Sequence, residues 1–125
     1  MQTENRADLE GLLVVSIEQA ASAPYLSSKL ADGGARVIKI ERPDGDFGRH
    51  YDHLVKEQSS YFVWLNRGKE SICLNLNDAE DRSLLASMIA KADIFIQNLS
   101  PGKIAEIGFP LDDLRKKYPR LIICS

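Results

Sequence analysis

Gly33-Gly34-Ala35-Arg36-Val37-Ile38-Lys39-Ile40-Glu41-Arg42-Pro43 is the stretch that decides the fold. It reads as a helix stop, a buried strand and a charged exit. Glycine can take the left-handed conformation that ends a helix. Val37, Ile38 and Ile40 are β-branched and apolar, which suits a strand. Glu41, Arg42 and Pro43 then end the strand and set a carboxylate and a guanidinium at its carboxyl end. In open α/β sheets ligands bind at that edge.

Upstream, residues 12–17 (Leu-Leu-Val-Val-Ser-Ile) form an almost wholly apolar run, as in a parallel strand buried on both faces. Glu18-Gln19-Ala20-Ala21 is a turn of small and polar residues. Ser22 is placed to cap a helix with Pro24 in its first turn and residues 25–32 as its body. Leu26 and Leu30 share one face of it. The unit is strand–helix–strand, with a right-handed crossover expected.

Downstream, residues 43–59 have no sustained apolar period and read as a long surface loop with room for a short helix over 53–57. Residues 61–65 are aromatic and apolar, residues 66–69 (Asn-Arg-Gly-Lys) mark a turn, and residues 71–76 read as a strand. Asn77 is a helix cap with Glu80 as its capping-box partner. Leu84, Leu85, Met88 and Ile89 form that helix's apolar stripe. Ile94-Phe95-Ile96 is another buried strand. Ser100 is the next cap, with Pro101 at the first helical position of a short helix reaching Ile107. Residues 110–118 run from acidic (Asp112, Asp113) to basic (Arg115, Lys116, Lys117), which complements a helix dipole. Residues 121–124 make a last strand.

The expected class is therefore α/β: a Rossmann-like parallel sheet with flanking helices and strands near 12–17, 36–41, 72–76, 93–97 and 121–124. A strand so close to the last residue lacks the loop and helix that should follow it. The chain thus reads as an incomplete part of a larger domain, with residues 1–8 a mobile tail and 9–125 the folded part.

The chain has 125 residues, 44% of them hydrophobic and 27% charged, as expected of one globular domain. A net charge of −2 with no basic run points away from nucleic acid. No apolar run approaches the ~20 residues that span a bilayer, and the first eight residues lack a signal-peptide pattern. The setting expected is cytoplasmic, with Cys73 and Cys124 as buried free thiols.

If the strands are parallel, loops at 18–22, 41–49, 77–78 and 98–102 meet at one edge. Lys39, Arg42, Arg67 and Lys69 are then candidate phosphate contacts, because guanidinium and ammonium groups both bind phosphate; surface solvation and ion pairing are the simpler alternative. No Gly-x-Gly-x-x-Gly follows the first strand and no Gly-Lys-Ser/Thr loop occurs, which argues against a nicotinamide cofactor and nucleotide hydrolysis. His50 and His53 with Asp46 and Asp52 lack a third well-placed ligand, so no metal site is expected. Tyr61 and Trp64 are expected in the core.

The residues 34–43 quoted above resemble the class III CoA-transferases, the CaiB/BaiF family, which includes formyl-CoA transferase, carnitine CoA-transferase and the α-methylacyl-CoA racemases. The resemblance continues through Gly45-Asp46 and Arg49, Asn66-Arg67-Gly68-Lys69-Glu70-Ser71, Ala92-Asp93-Ile94-Phe95-Ile96-Gln97-Asn98, Pro101-Gly102, Ile107-Gly108 and Pro119-Arg120-Leu121-Ile122. It covers residues 9–125, with its blocks in the family's order. Glu18-Gln19-Ala20 and residues 45–52 look most like members acting on short dicarboxylic acids such as mesaconate, itaconate or citramalate.

The resemblance implies a Rossmann-like large domain, of which this is the amino-terminal part, and an interlocked homodimer. It implies coenzyme A or acyl-CoA and a small carboxylic acid as ligands, no metal, and no membrane. The implied CoA contacts are Gln19, Ala20, Ala21 and Ser22 after the first strand, Arg42 after the second, and Leu74, Asn77, Asn98 and Leu99. Leu99 stands where phenylalanine is common, Asn77 where lysine occurs, and Glu106 where formyl-CoA transferase has arginine. The family's transferases attack the thioester with an aspartate carboxylate. No aspartate here sits in that motif, so no catalytic residue is assigned and the nucleophile is expected beyond Ser125. The alternatives are an acyl-CoA racemase of the same family and a non-catalytic nucleotide-binding or interaction module.

Overall fold

The five apolar runs lie side by side in one sheet. The computed structural model describes residues 6–125. Its strands are β1 (Leu13–Ile17), β2 (Arg36–Glu41), β3 (Glu70–Cys73), β4 (Ile94–Gln97) and β5 (Ile122–Cys124). Their order is β3-β2-β1-β4-β5, and every pairing is parallel. Val15 of β1 sits between Ile38 of β2 and Phe95 of β4. The strand order reverses at β1, so the crevice that such a reversal opens lies at the carboxyl ends of β1 and its neighbours.

Side chains alternate across each strand, and this splits the core in two. Val14, Val37 and Ile96 pack with Ala23 of α1 (Ser22–Asp32) and with Leu26 and Leu30. Val15, Ile17, Ile40 and Phe95 face the other way. They pack with Leu85 and Ile89 of α3 (Ala79–Lys91), Ile104 of α4 (Lys103–Glu106) and Leu114 of α5 (Leu111–Lys117). α2 (Ser60–Asn66) packs beside α1. Gly34 has φ +102°, and a Cβ there would lie 2.5 Å from that of Ala7. The chain can turn from α1 into β2 at this point only without a side chain. Gly33, by contrast, keeps a right-handed φ of −77°.

Several local expectations shift. The α1 cap is Ala21, and no side chain caps it; Ser22 is already helical and exposed. Asp78 rather than Asn77 caps α3, accepting from the Glu80 N–H at 3.3 Å, so Glu80 is capped rather than capping. Gly102, at φ +79°, precedes α4, and Ser100 and Pro101 remain in a turn. Leu84 of the α3 stripe is exposed. Residues 53–57 form a turn closed by a Val55–Gln58 bridge instead of a helix. Residues 61–65 lie in α2, capped by Ser59. The strand expected over 71–76 is shorter and starts earlier. Cys73 and Cys124 lie on the two edge strands and are exposed. Of the expected tail, residues 1–5 lie outside the described residues, while Ala7 rests against Gly34. No described helix is long and apolar enough to cross a membrane.

Candidate functional site

The carboxyl ends of β1 and β2 open into a cleft of about 310 Å³. Ile17, the last residue of β1, and Ile40, next to last in β2, form its apolar floor, and Leu74 joins them just past β3. Gln19 after β1, Arg42 after β2 and Leu99 after β4 form its walls, with Asn77 near α3 and Lys103 from α4. Parallel pairing in a fixed register is what brings loops from four parts of the sequence to one place. A site that joins an apolar floor to polar and charged side chains suits an organic ligand with a charged end.

The β1–α1 turn is held from two sides. Asn98 accepts from the Gln19 N–H at 3.0 Å and donates to the Gln19 carbonyl at 2.9 Å. Asp46 Oδ1 accepts from the Ala20 N–H at 3.0 Å and from the Gly48 N–H at 2.8 Å. Between these grips Ala20 takes φ +64°, which an L-residue seldom adopts. Asp46 thus ties the loop after β2 to the turn after β1, and both line the cleft.

A buried ionic cluster runs from the cleft lining, where Glu18, Glu41 and Asp46 lie, into the protein behind it. Lys39 Nζ donates to Asp46 Oδ2 at 2.8 Å, and Lys69 Nζ donates to Glu18 Oε1 at 2.6 Å. Asn66 of α2 accepts from both lysines, at 2.9 and 3.1 Å. Ser16 and Ser27 donate to Glu18. Arg49 grips Glu41 with two hydrogen bonds, at 2.9 and 2.7 Å, while Ser71 donates to Glu41 at 2.6 Å. Burial raises the Glu41 carboxyl, but the hydrogen bonds from Arg49, Ser71 and the Asp46 N–H outweigh it and hold Glu41 at about 2. Burial pushes the Lys69 ammonium down, and Glu18 opposes the shift only in part.

Of the residues the sequence pointed to, Gln19, Arg42, Leu74, Asn77 and Leu99 line the cleft. Ala20, Ala21, Ser22 and Asn98 do not; Ala21 caps and Ser22 starts α1, both exposed, and Asn98 hydrogen-bonds the Gln19 backbone. Lys39 and Lys69 are unavailable to phosphate because both ammonium groups are spent on buried carboxylates. Arg67 pairs with Asp32 at 2.6 Å. Asp52 is taken up by Leu54 and Ser60, and both histidines are exposed. Tyr61 and Trp64 leave the expected core for the surface. They join Tyr25, Tyr51 and Phe47 in a line of exposed rings with neighbouring centroids 5.8–6.3 Å apart. Sequence reasoning missed Asp46 as an anchor and Lys103 altogether. The signal for the cluster was present: Ser16 with Glu18, and Lys39 with Glu41, are polar pairs spaced two apart in or just past strands otherwise apolar, hence on one face.

A model described as CoA-transferase family III matches residues 9–125. The chain is 44% identical over 121 residues to an acetyl-CoA:oxalate CoA-transferase of Acetobacter aceti, covering 96% of this chain and 31% of that protein. It is 36% identical over 122 residues to a succinyl-CoA:mesaconate CoA-transferase of Haloarcula marismortui, covering 94% of this chain and 31% of the relative. A CaiB/BaiF family protein from Brucella suis superposes with TM-score 0.87 at 35% identity, covering 95% of this chain and 33% of that one. The chain therefore spans about a third of the length of the relatives it matches.

Proposed function

Because this chain belongs to CoA-transferase family III, we propose that it forms the CoA-binding portion of an acyl-CoA:carboxylate CoA-transferase working as a homodimer. The observation that carries this reading is the cleft at the strand-order reversal, apolar in its floor and with Arg42 in its wall. A pantetheine arm suits the floor, and a phosphate suits the guanidinium. Gln19, Leu74, Asn77 and Leu99 would touch the cofactor, while Ala20, Ala21, Ser22 and Asn98 shape the turn it lies against. The named relatives pair an acyl-CoA with oxalate or mesaconate, both dicarboxylic acids, so a short dicarboxylate is the acceptor class we assign.

In this chemistry a carboxylate oxygen bonds to the thioester carbon as the carbon–sulfur bond breaks, and CoA leaves as its thiolate. Asp46, although it lines the cleft, is no candidate for that oxygen, since it already accepts from Ala20, Gly48 and Lys39. We place the nucleophile outside these residues. The test is calorimetric titration with CoA, then incubation with succinyl-CoA and mesaconate followed by mass spectrometry. CoA binding without transfer above the buffer control is expected. Failure to bind CoA would overturn the reading, and transfer abolished by mutating an aspartate of this chain would overturn the placement of the nucleophile.

A further inference from the structure

We propose that Lys103 is a phosphate-binding residue of the cleft, acting across the end of β1 from Arg42, and that Glu106 competes with the ligand for it. The inference rests on the reading of the cleft as a CoA site. Glu18, Glu41 and Asp46 all line the cleft, and three carboxylates would repel a phosphate. Each is neutralised from behind: Glu18 by Lys69, Asp46 by Lys39, and Glu41 by Arg49. The charges left to meet a ligand are those of Arg42, Asp44 and Lys103. Arg42 and Lys103 are the two basic residues among the described ones lining the cleft.

Their placement follows from the sheet. β2 and β4 flank β1 on opposite sides. Arg42 directly follows β2, and Lys103 follows β4 by one turn, with Ile104 and Ile107 buried to anchor its segment. A ligand lying across the end of β1 therefore has one cation on each side. Neither cation is strongly committed. Arg42 Nε is 3.5 Å from Asp44 Oδ1, and Lys103 Nζ is 3.0 Å from Glu106 Oε1. All four side chains are well exposed, and ion pairs of that kind contribute little in water and are screened by salt. A phosphate brings more charge than either carboxylate and would displace them.

The test titrates CoA, 3′-dephospho-CoA and pantetheine into the chain and into Lys103→Met and Glu106→Gln, with folding of each checked by circular dichroism. Lys103→Met should weaken CoA about tenfold, as for loss of one charge-assisted contact, and flatten the salt dependence of its affinity. Glu106→Gln should tighten CoA two- to threefold. Neither should change the response to pantetheine, which carries no phosphate; dephospho-CoA tells which phosphate is held. Equal CoA affinity in the parent and Lys103→Met overturns the assignment while leaving the CoA reading intact. Equal losses for CoA and pantetheine also overturn it, by showing a merely structural role. No CoA binding by the parent overturns the CoA reading itself, and this inference with it.

Discussion

Lys39 and Asp46 meet at 2.8 Å with 1% of each side chain exposed. Truncating one member of such a pair strands the other charge without water, at a cost of about 3–5 kcal/mol. Lys39→Met should lower the urea-unfolding free energy by that amount, and the double variant Lys39→Met/Asp46→Asn should recover part of it. Independent, additive losses would show that the two groups do not couple. Glu41 gives a pH signature. Its folded carboxyl titrates near 2, below its ordinary value of 4.5, so its stabilisation is complete above pH 4.5 and is lost as pH falls toward 2. Glu41→Gln should flatten stability across that window, and an unchanged acid limb would contradict the assignment. Arg42 we assign to the ligand under the proposed function: Arg42→Ala should then weaken CoA about tenfold, measured by calorimetry, for a contact worth roughly 1.5–3 kcal/mol.

Leu85 of α3 is fully buried against the sheet. Leu85→Ala should cost about 2–5 kcal/mol in urea unfolding, whereas Leu84→Ala, on the exposed face, should stay within about 0.5 kcal/mol. The apolar runs behind β1, β2 and β4 were legible because a strand covered on both faces must be apolar nearly throughout. Helix starts were not legible to the residue. Asp78 rather than Asn77 caps α3, and Gly102 rather than Ser100 precedes α4; the path of the incoming chain chose among neighbouring candidates. α2 was unreadable as a helix because Tyr61, Val63 and Trp64 are apolar yet exposed, so no polar face marks its period. At the site, Arg42 and Gln19 could be read from their place just after strands. The roles of Lys39 and Lys69 could not, since Lys39's partners at 46 and 66 and Lys69's at 18 become neighbours only once the sheet forms.

Across the whole molecule, one end of the sheet gathers the cleft, the latched turn and the neutralised carboxylates. The line of exposed rings from Tyr25 through Trp64, Tyr61 and Tyr51 to Phe47 runs over α1, α2 and the loop that follows β2. That line has a practical optical consequence. Trp64 is the chain's sole tryptophan, 52% exposed, with Tyr25 and Tyr61 at 6.0 and 6.3 Å. Light absorbed by these tyrosines should pass to Trp64 by resonance transfer and leave as indole emission, red-shifted by the surrounding water. Whatever comes to cover this face would move that emission to the blue. The protein therefore carries its own unlabelled fluorophore for the one surface where its aromatic side chains are most open to contact.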